Sequence, residues 1–324
     1  MPLPTKDILG ILADNLNQRK SVLPMSAADT TRWAKDLNLP KGGETILYTG
    51  HMYQLIPVID AMAGQMAKLE DSPITKMMGI GRTVNKFINM TFFMGLLASK
   101  SDRKDYDQML KNIAQLLQKA DVQFGYLYEE EMYSGALVYD EGVDTAFAKH
   151  ARRVTDLFKK HGIKKIITVD PHTTHTLRTA FPKFVDDFDI EVKSYLEVLA
   201  ETDLNPLAQL DESVTLHDSC VYARHEGVVD QPRELLNKAG VQLAEPRLCG
   251  KNTHCCGGPM ESLFPAESHR IADNRIEQLK EAGGDIVTMC PICLVGLRKA
   301  AKGTTKINDI STLLTRAYAA QPPE

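Results

Sequence analysis

Two stretches of this sequence share one design and decide the fold. Residues Ile166–Arg178 read IITVDPHTTHTLR, and residues Ile286–Arg298 read IVTMCPICLVGLR. When residue 166 is aligned with residue 286, the same residue type recurs at Ile166, Thr168, Pro171, Leu177 and Arg178. The apolar start of each stretch is typical of a buried strand. Its repetition indicates two units of similar architecture within one chain.

The repeat extends upstream of these stretches. Tyr133-Ser134-Gly135 lies one predicted helix ahead of the first stretch, as Cys255-Cys256-Gly257 lies ahead of the second. Further back, Leu47–Tyr53 (LYTGHMY) resembles Leu216–Tyr222 (LHDSCVY). We therefore expect two halves in tandem, of which only the second carries cysteines. The matching positions of the first half hold His51, Tyr133, Ser134, Asp170 and Thr173.

The order of strand and helix patterns predicts an α/β fold with mostly parallel sheets. Predicted strands are Thr45–Thr49, Val122–Leu127, Ile163–Val169, Ser213–His217 and Asp285–Met289. Predicted helices include Asp144–His161, Gln231–Ala239 and Ala266–Ala282. We expect a helical lead-in over residues 1–44, a cysteine-free half over 45–203 and a cysteine-bearing half over 204–324, separated where Asp203–Glu212 turns polar.

Composition excludes several classes of protein. The 324 residues are 43% hydrophobic and 25% charged, which excludes a disordered chain, a collagen-like repeat and a coiled-coil rod. A net charge of −4 gives no sign of a nucleic-acid partner or an anionic membrane. The apolar segment Phe87–Ala98 is too short to span a bilayer, and the N-terminus lacks a secretory pattern. We expect a cytoplasmic, reducing location, so the cysteines are interpreted as ligands or redox groups before disulfides.

All six cysteines lie between residues 220 and 293. Cys290-Pro291-Ile292-Cys293 follows a predicted strand, and its two sulfurs can chelate one metal centre. The adjacent pair Cys255-Cys256 favours a multi-iron cluster, and Cys220 closes the site from a third strand end. Four thiolates satisfy an ordinary iron–sulfur cluster or a structural zinc, whereas a fifth suggests a larger or less regular cluster. A zinc site and a metal-free dithiol are the alternatives, and Cys249 is interpreted as an incidental thiol.

Polar residues near the strand ends add weaker candidates. His217 and His254 stand beside the cysteines, where a histidine donates protons to a leaving thiolate or tunes a metal potential by hydrogen bonding. His51, Asp170, His172 and His175 form a candidate second site in the cysteine-free half. We expect this second site to be vestigial and without a metal. Asp273 and Arg275 are expected on the solvated face of a helix.

The cysteine spacing resembles the cysteine-rich CCG domain. That domain occurs in two kinds of heterodisulfide reductase subunit, in one of which it forms the C-terminal half, and in proteins that oxidise glycerol-3-phosphate, lactate or glycolate. The pattern is Cys220-x34-Cys255-Cys256-Gly257-x32-Cys290-x2-Cys293. Its neighbours agree: His217-Asp218-Ser219 before the first cysteine, Pro232-Arg233 after it, and Asn252 ahead of the pair. The first half resembles a degenerate copy of the same domain.

The resemblance implies two pseudo-symmetric CCG-type domains and one non-cubane [4Fe–4S] cluster with five ligands: Cys220, Cys255, Cys256, Cys290 and Cys293. It implies an oxidoreductase subunit of a heterodisulfide-reductase-like complex, acting on disulfides, thiols or other sulfur carriers. The alternatives are an electron relay in a hydroxy-acid or glycerol-3-phosphate oxidising complex and a zinc-stabilised interaction protein. The chain has no ferredoxin-type cysteine run and no nucleotide motif. We therefore expect a ferredoxin-like partner subunit within a larger redox complex. This partner would dock at Met77–Leu97. The complex would be associated with a membrane only indirectly.

Overall fold

The computed structural model describes residues 5–23, 25–69 and 99–319. Within these ranges the strands are β1 (Thr45–Tyr48), β2 (Lys165–Thr168), β3 (Glu191–Ser194), β4 (Ser213–His217), β5 (Gln242–Ala244), β6 (Asp285–Thr288) and β7 (Ile307–Asp309). They form two parallel sheets, ordered β1-β2-β3 and β5-β4-β6-β7. When the two sheets are compared, the strand order β1-β2-β3 of the first corresponds to the order β4-β6-β7 within the second. This arrangement confirms the predicted tandem α/β architecture.

Helices connect the strands and cover the sheets. In the described ranges they are α1 (Thr5–Arg19), α2 (Ala27–Thr31), α3 (Met52–Leu69), α4 (Lys100–Lys119), α5 (Ala136–Asp140), α6 (Asp144–Lys160), α7 (Pro171–His175), α8 (Phe181–Phe184), α9 (Tyr195–Ala200), α10 (Asp230–Lys238), α11 (Pro265–Ala282), α12 (Pro291–Ala301) and α13 (Ile310–Tyr318). The N-terminal region is helical, as predicted. No helix among the described residues combines the length and apolar character that crossing a membrane requires. The predicted docking segment Met77–Leu97 and the apolar segment Phe87–Ala98 lie outside the described residues.

The two sheets share one buried apolar core. Leu47 of β1, Leu216 of β4 and Ile286 of β6 belong to the same group of packed side chains. A buried hydrogen bond also joins the halves, since the Tyr53 hydroxyl donates to Asp309 Oδ2 at 2.8 Å. The strands fall on either side of the predicted boundary at residues 203/204. That division into domains stays a prediction.

The predicted strand Val122–Leu127 does not form as a strand. Only isolated parallel bridges join Gly125 to Ile46 and Tyr126 to Lys41. This segment lies beside β1, in the position that β5 occupies beside β4 in the other half. A Cβ at Gly125 would come within 1.8 Å of the Gly42 carbonyl oxygen, so a loop crosses directly over the segment. This loop pairs with Tyr126 while Gly125 pairs with β1, so two single bridges form instead of one continuous ladder.

The strands β2 and β6 lead into their helices in the same way. Each following helix begins with a proline, Pro171 in α7 and Pro291 in α12. Proline suits this position because the first helical N–H has no partner within the helix. Asp170 caps α7, and its side chain accepts a hydrogen bond from the Thr173 N–H at 2.9 Å. Cys290 occupies the matching position before α12, so the fold puts a thiol where the other half has a capping carboxylate.

Candidate metal centre

Five of the six cysteines meet at the carboxyl ends of β4 and β6. Cys220 follows β4, Cys290 follows β6, and Cys293 lies in the first turn of α12. Cys255 and Cys256 come from the loop between β5 and α11. Because parallel strands end at a common edge, these segments converge there. We call Cys220, Cys255, Cys256, Cys290 and Cys293 the five-cysteine site.

The sulfur atoms of this site form a continuous series of contacts. Cys220 Sγ lies 3.9 Å from Cys255 Sγ. Cys255 interacts in turn with Cys256, Cys256 with Cys293, and Cys293 with Cys290. Cys256, Cys290 and Cys293 are buried, whereas Cys220 and Cys255 are half-buried. The site therefore has a closed interior and one partly open edge.

The thiols of this site differ in pKa. Hydrogen bonds from Cys220 and Cys256 and from the Gly257 N–H lower the pKa of Cys255 to about 2. Burial raises the pKa of Cys290, but hydrogen bonds from Cys293 and His172 outweigh it, and the net shift is downward. Thiolates are the form of cysteine that binds metals. These shifts favour the thiolate form at Cys255 and Cys290.

Asp218 fixes the loop that borders this site. Arg233 donates to both of its carboxylate oxygens, at 2.8 and 2.9 Å, and the Gly250 N–H donates to Oδ2 at 2.6 Å. The Thr253 hydroxyl donates to the Asp218 carbonyl at 3.0 Å. These bonds tie α10 and the loop before Cys255 to the end of β4. They explain physically why Asp218 and Arg233 accompany the cysteines in the sequence pattern.

His217 and His254 occupy different environments. His217 is fully buried, and its Nε2 has no hydrogen-bond partner among the described residues. Its ligand atom and those of Cys256 and Cys293 lie within 4.8 Å of one another. Burial, together with the charge of Arg275, lowers the pKa of His217 to about 3. His254 is half-buried, and its Nδ1 lies 3.0 Å from the Cys255 carbonyl.

The expectation that Arg275 is solvated was wrong. Asp273 is exposed, but Arg275 is fully buried and contacts His217. In α11 the buried residues Ala272, Ile276 and Leu279 form one face, and Arg275 lies within it. Helical spacing around Arg275 could have revealed this position in the sequence. Its charged type favoured the solvated interpretation instead.

The four candidate second-site residues each have a different partner. His51 Nε2 lies 3.4 Å from Glu131 Oε2, and burial lowers the pKa of His51 to about 4. His175 Nδ1 pairs with Glu226 at 2.6 Å, and Asp170 caps α7. His172 Nδ1 pairs with Asp140 at 2.9 Å. In the described part of the chain, only His217, Cys256 and Cys293 place three metal-binding atoms all within 4.8 Å of one another, and none of the four second-site residues belongs to that group.

The positions that match the cysteines are tightly packed in the cysteine-free half. Gly50 precedes His51, the counterpart of Cys220. A Cβ at Gly50 would lie 2.5 Å from Thr173 Oγ1 and 3.0 Å from Ser134 Cβ. Thr173 and Ser134 are the counterparts of Cys293 and Cys256. The residues that replace the cysteines therefore pack directly against the backbone.

His172 belongs to the cysteine-free half but interacts with the five-cysteine site. Its Nδ1 faces Asp140, and its ring also hydrogen-bonds with the Cys290 thiol. Burial opposes protonation of His172, but Asp140 and Cys290 outweigh it and raise its pKa above the usual value. No sequence signal connected His172 to Cys290, because the contact crosses between the halves. The cysteine-free half thus contributes to the surroundings of the site.

Fold and site together define a tandem α/β protein with a thiol-rich centre of the type that binds metals. The family model of the cysteine-rich CCG domain matches residues 91–178 and 214–298. Together these two ranges cover more than half of the chain. The chain belongs to the CCG cysteine-rich domain family.

Curated proteins with similar sequences are redox proteins by name. The "EtfAB:quinone oxidoreductase" of Syntrophomonas wolfei is 32% identical over 274 residues, which cover 79% of this chain and 38% of that protein. The "Probable iron-sulfur-binding oxidoreductase FadF" of Bacillus subtilis is 32% identical over 70% of this chain and 33% of its own length. One subunit of a heterodisulfide reductase of Methanosarcina mazei is 27% identical over 63% of this chain and 54% of its own length. This chain thus spans about a third of the length of the first two relatives.

Proposed function

We propose that the five-cysteine site holds one iron–sulfur cluster, of the non-cubane [4Fe–4S] type. The observation that supports this most directly is the continuous series of five thiols at one sheet edge. Five thiolates exceed the four that a zinc ion or a cubane cluster uses. The ligands would be Cys220, Cys255, Cys256, Cys290 and Cys293. The second half of the chain would carry the only cluster.

We propose further that the chain is the electron-transfer part of an oxidoreductase that acts on sulfur groups. Reducing a disulfide to two thiols consumes two electrons and two protons. With a single cluster, the electrons would arrive one at a time from a partner, for which a ferredoxin-like iron–sulfur subunit in a larger complex is the candidate. Cys220 and Cys255 lie at the partly open edge, where a substrate would approach. The half-buried His254 would supply protons there, and we propose no proton transfer to the substrate from His217, which is fully buried.

The second candidate function is electron relay without a substrate of its own. The names of the two relatives at 32% identity favour it, since they describe a quinone oxidoreductase and an iron–sulfur-binding oxidoreductase. A further relative, from Chromohalobacter salexigens, is named a "Probable membrane-anchored ferredoxin". In this alternative, the chain would pass electrons between a dehydrogenase and an acceptor at the cytoplasmic face of a membrane.

Anaerobic purification with assays for iron, acid-labile sulfide and zinc tests the cluster. We expect about four iron and four sulfide per chain, because that is the content of one [4Fe–4S] cluster. The protein should be coloured and zinc should be present only in trace amounts. A colourless protein with one zinc per chain after reconstitution would reject the redox function.

Electron paramagnetic resonance separates the two candidate functions. If the chain acts on sulfur groups, an added small disulfide or thiol should change the spectrum of the cluster, because substrate sulfur approaches the iron. If the chain is a relay, the spectrum should not respond, and electrons should still pass to a redox partner. A hydroxy acid without sulfur serves as the control addition and should leave the spectrum unchanged in both cases.

A further inference from the structure

Arg275 is a buried cation without a carboxylate partner among the described residues. Its side chain is fully buried in α11. It donates to the Leu248 carbonyl and to Gln278 Oε1, both at 3.0 Å, and to Thr253 Oγ1 at 3.4 Å. The carboxylate that influences it, Asp218, is already held by Arg233 through both oxygens. A buried charge is costly unless an opposite charge lies nearby.

The Nε donor of Arg275 meets a histidine. Arg275 Nε donates to His217 Nδ1 at 3.1 Å. An arginine side chain has only N–H donors, so His217 Nδ1 must present its lone pair. In the neutral imidazole the proton is then on Nε2. Nε2 is the nitrogen without a partner in the described structure, and a ring nitrogen of His217 lies within 4.8 Å of the sulfurs of Cys256 and Cys293. Because Arg275 occupies Nδ1, Nε2 is the nitrogen left to meet those sulfurs.

This arrangement distinguishes two roles for His217. To bind a metal through Nε2, the ring would need its lone pair there and its proton on Nδ1. That proton would point at the Arg275 N–H, and two donors would face each other. A hydrogen bond from Nε2–H to a ligand sulfur meets no such conflict. Metal-bound thiolates commonly accept hydrogen bonds of this kind, and these bonds tune the reduction potential.

We infer that Arg275 is a positioning residue that holds His217 as an Nε2–H donor to the Cys256 and Cys293 thiolates, and not as a metal ligand. The inference rests on the proposed iron–sulfur cluster. The positive charge of Arg275 has its counterpart in the negative charge of the cluster and its thiolates. His217 and Arg275 thus stabilise the reduced, more negative state together.

Three variants separate charge from hydrogen bonding. Arg275→Met keeps the length of the side chain but loses both charge and donors. Arg275→Lys keeps the charge but cannot reproduce the planar set of donors. Arg224→Met is the matched control, because Arg224 is exposed and donates to the carbonyls of the same loop, at Lys251 and Thr253. Arg224 contacts no cysteine in the described structure.

Pulsed electron paramagnetic resonance and redox titration of the reconstituted protein provide the main test. In the wild type we expect an exchangeable proton coupled to the cluster and no strongly coupled nitrogen. Arg275→Met should lose the coupling of the His217 proton, while the protons that the Gly257 N–H and His172 donate to Cys255 and Cys290 stay coupled, and it should have a lower reduction potential. Arg275→Lys should lie between Arg275→Met and the wild type in potential, and Arg224→Met should match the wild type. A strongly coupled nitrogen in the wild type, or an unchanged potential in Arg275→Met, would overturn the inference.

Nitrogen NMR of the cluster-free protein tests the histidine independently of the cluster. We expect His217 to carry its proton on Nε2 in the wild type and in Arg224→Met. In Arg275→Met, His217 should no longer prefer the proton on Nε2 over Nδ1. A proton on Nδ1 in the wild type would contradict the inference whether or not the chain binds iron. Failure to bind iron, with the expected tautomer present, would reject the proposed function and leave the role of Arg275 on His217 intact.

Discussion

Replacing Cys256 with serine is expected to abolish cluster binding. Cys256 is buried at the centre of the series of thiols, where it interacts with both Cys255 and Cys293. A serine hydroxyl is a poor substitute because iron–sulfur clusters are held by thiolates. Iron should fall from about four per chain to less than about one after desalting, the content of a [4Fe–4S] cluster being four. Iron analysis and the visible absorption spectrum measure the loss.

Cys249→Ser is the matched control for this experiment. Cys249 is the sixth cysteine and lies in the same loop region, but its neighbours are Glu245, Asp218 and Arg233. No sulfur contact of Cys249 is present in the described structure. The variant should retain the iron content and spectrum of the wild type. Full iron in Cys256→Ser, or loss of iron in Cys249→Ser, would show that the proposed ligand set is wrong.

The sequence predicted the regular parts of the fold because their patterns are local. The predicted strand Ser213–His217 coincides with β4, and Asp285–Met289 extends one residue beyond β6. Both are short apolar runs flanked by polar residues, a pattern that burial imposes directly. The strands β3, β5 and β7 were not predicted. Their sequences, EVKS, QLA and IND, contain at most two apolar residues each, and pairing with a neighbour stabilises them more than their own composition does.

The convergence of the five cysteines could be predicted, but their surroundings could not. Strand ends in a parallel sheet meet at one edge, so cysteines that follow two strands are brought together by topology alone. The contact of His172 with Cys290 joins residues more than 100 positions apart in different halves. It depends on how the two sheets pack, which periodicity does not encode. Arg275 differs, because its place on the buried face of α11 was visible in the spacing of its neighbours.

The packing at Gly50 gives a physical account of the asymmetry between the halves. The counterparts of Cys256 and Cys293 are Ser134 and Thr173, and both lie against the Gly50 backbone. Their side chains fill space between the strand ends. What the cysteine-free half retains is its framework, together with His172, which pairs with Asp140 and reaches Cys290 in the other half's site. The loss of thiols in one half is thus compatible with a supporting role for it.

A second large effect is expected when Gly257 is replaced with alanine. Gly257 follows Cys256 and has a φ of +83°, a left-handed conformation that costs alanine about 1 kcal/mol. The added Cβ would also lie 2.5 Å from the Ser268 carbonyl oxygen in α11. That helix cannot move away easily, because the Ser268 hydroxyl donates to the Gly257 carbonyl at 2.9 Å. The loop must shift instead, and overpacking of this kind costs about 1–3 kcal/mol more.

Gly257→Ala should therefore lose about 2–4 kcal/mol of the free energy of unfolding, the sum of the conformational and overpacking costs. It should also retain less iron, because the shift moves Cys256 and removes the hydrogen bond from the Gly257 N–H to Cys255 Sγ, at 3.3 Å. Gly227→Ala is the matched control, since Gly227 has a φ of +71° but no atom within 4 Å of an added Cβ. It should lose only about 1 kcal/mol and keep its iron. Equal losses of stability and iron in the two variants would mean that the loop is not held against α11. Denaturant unfolding and iron analysis of both variants distinguish these outcomes.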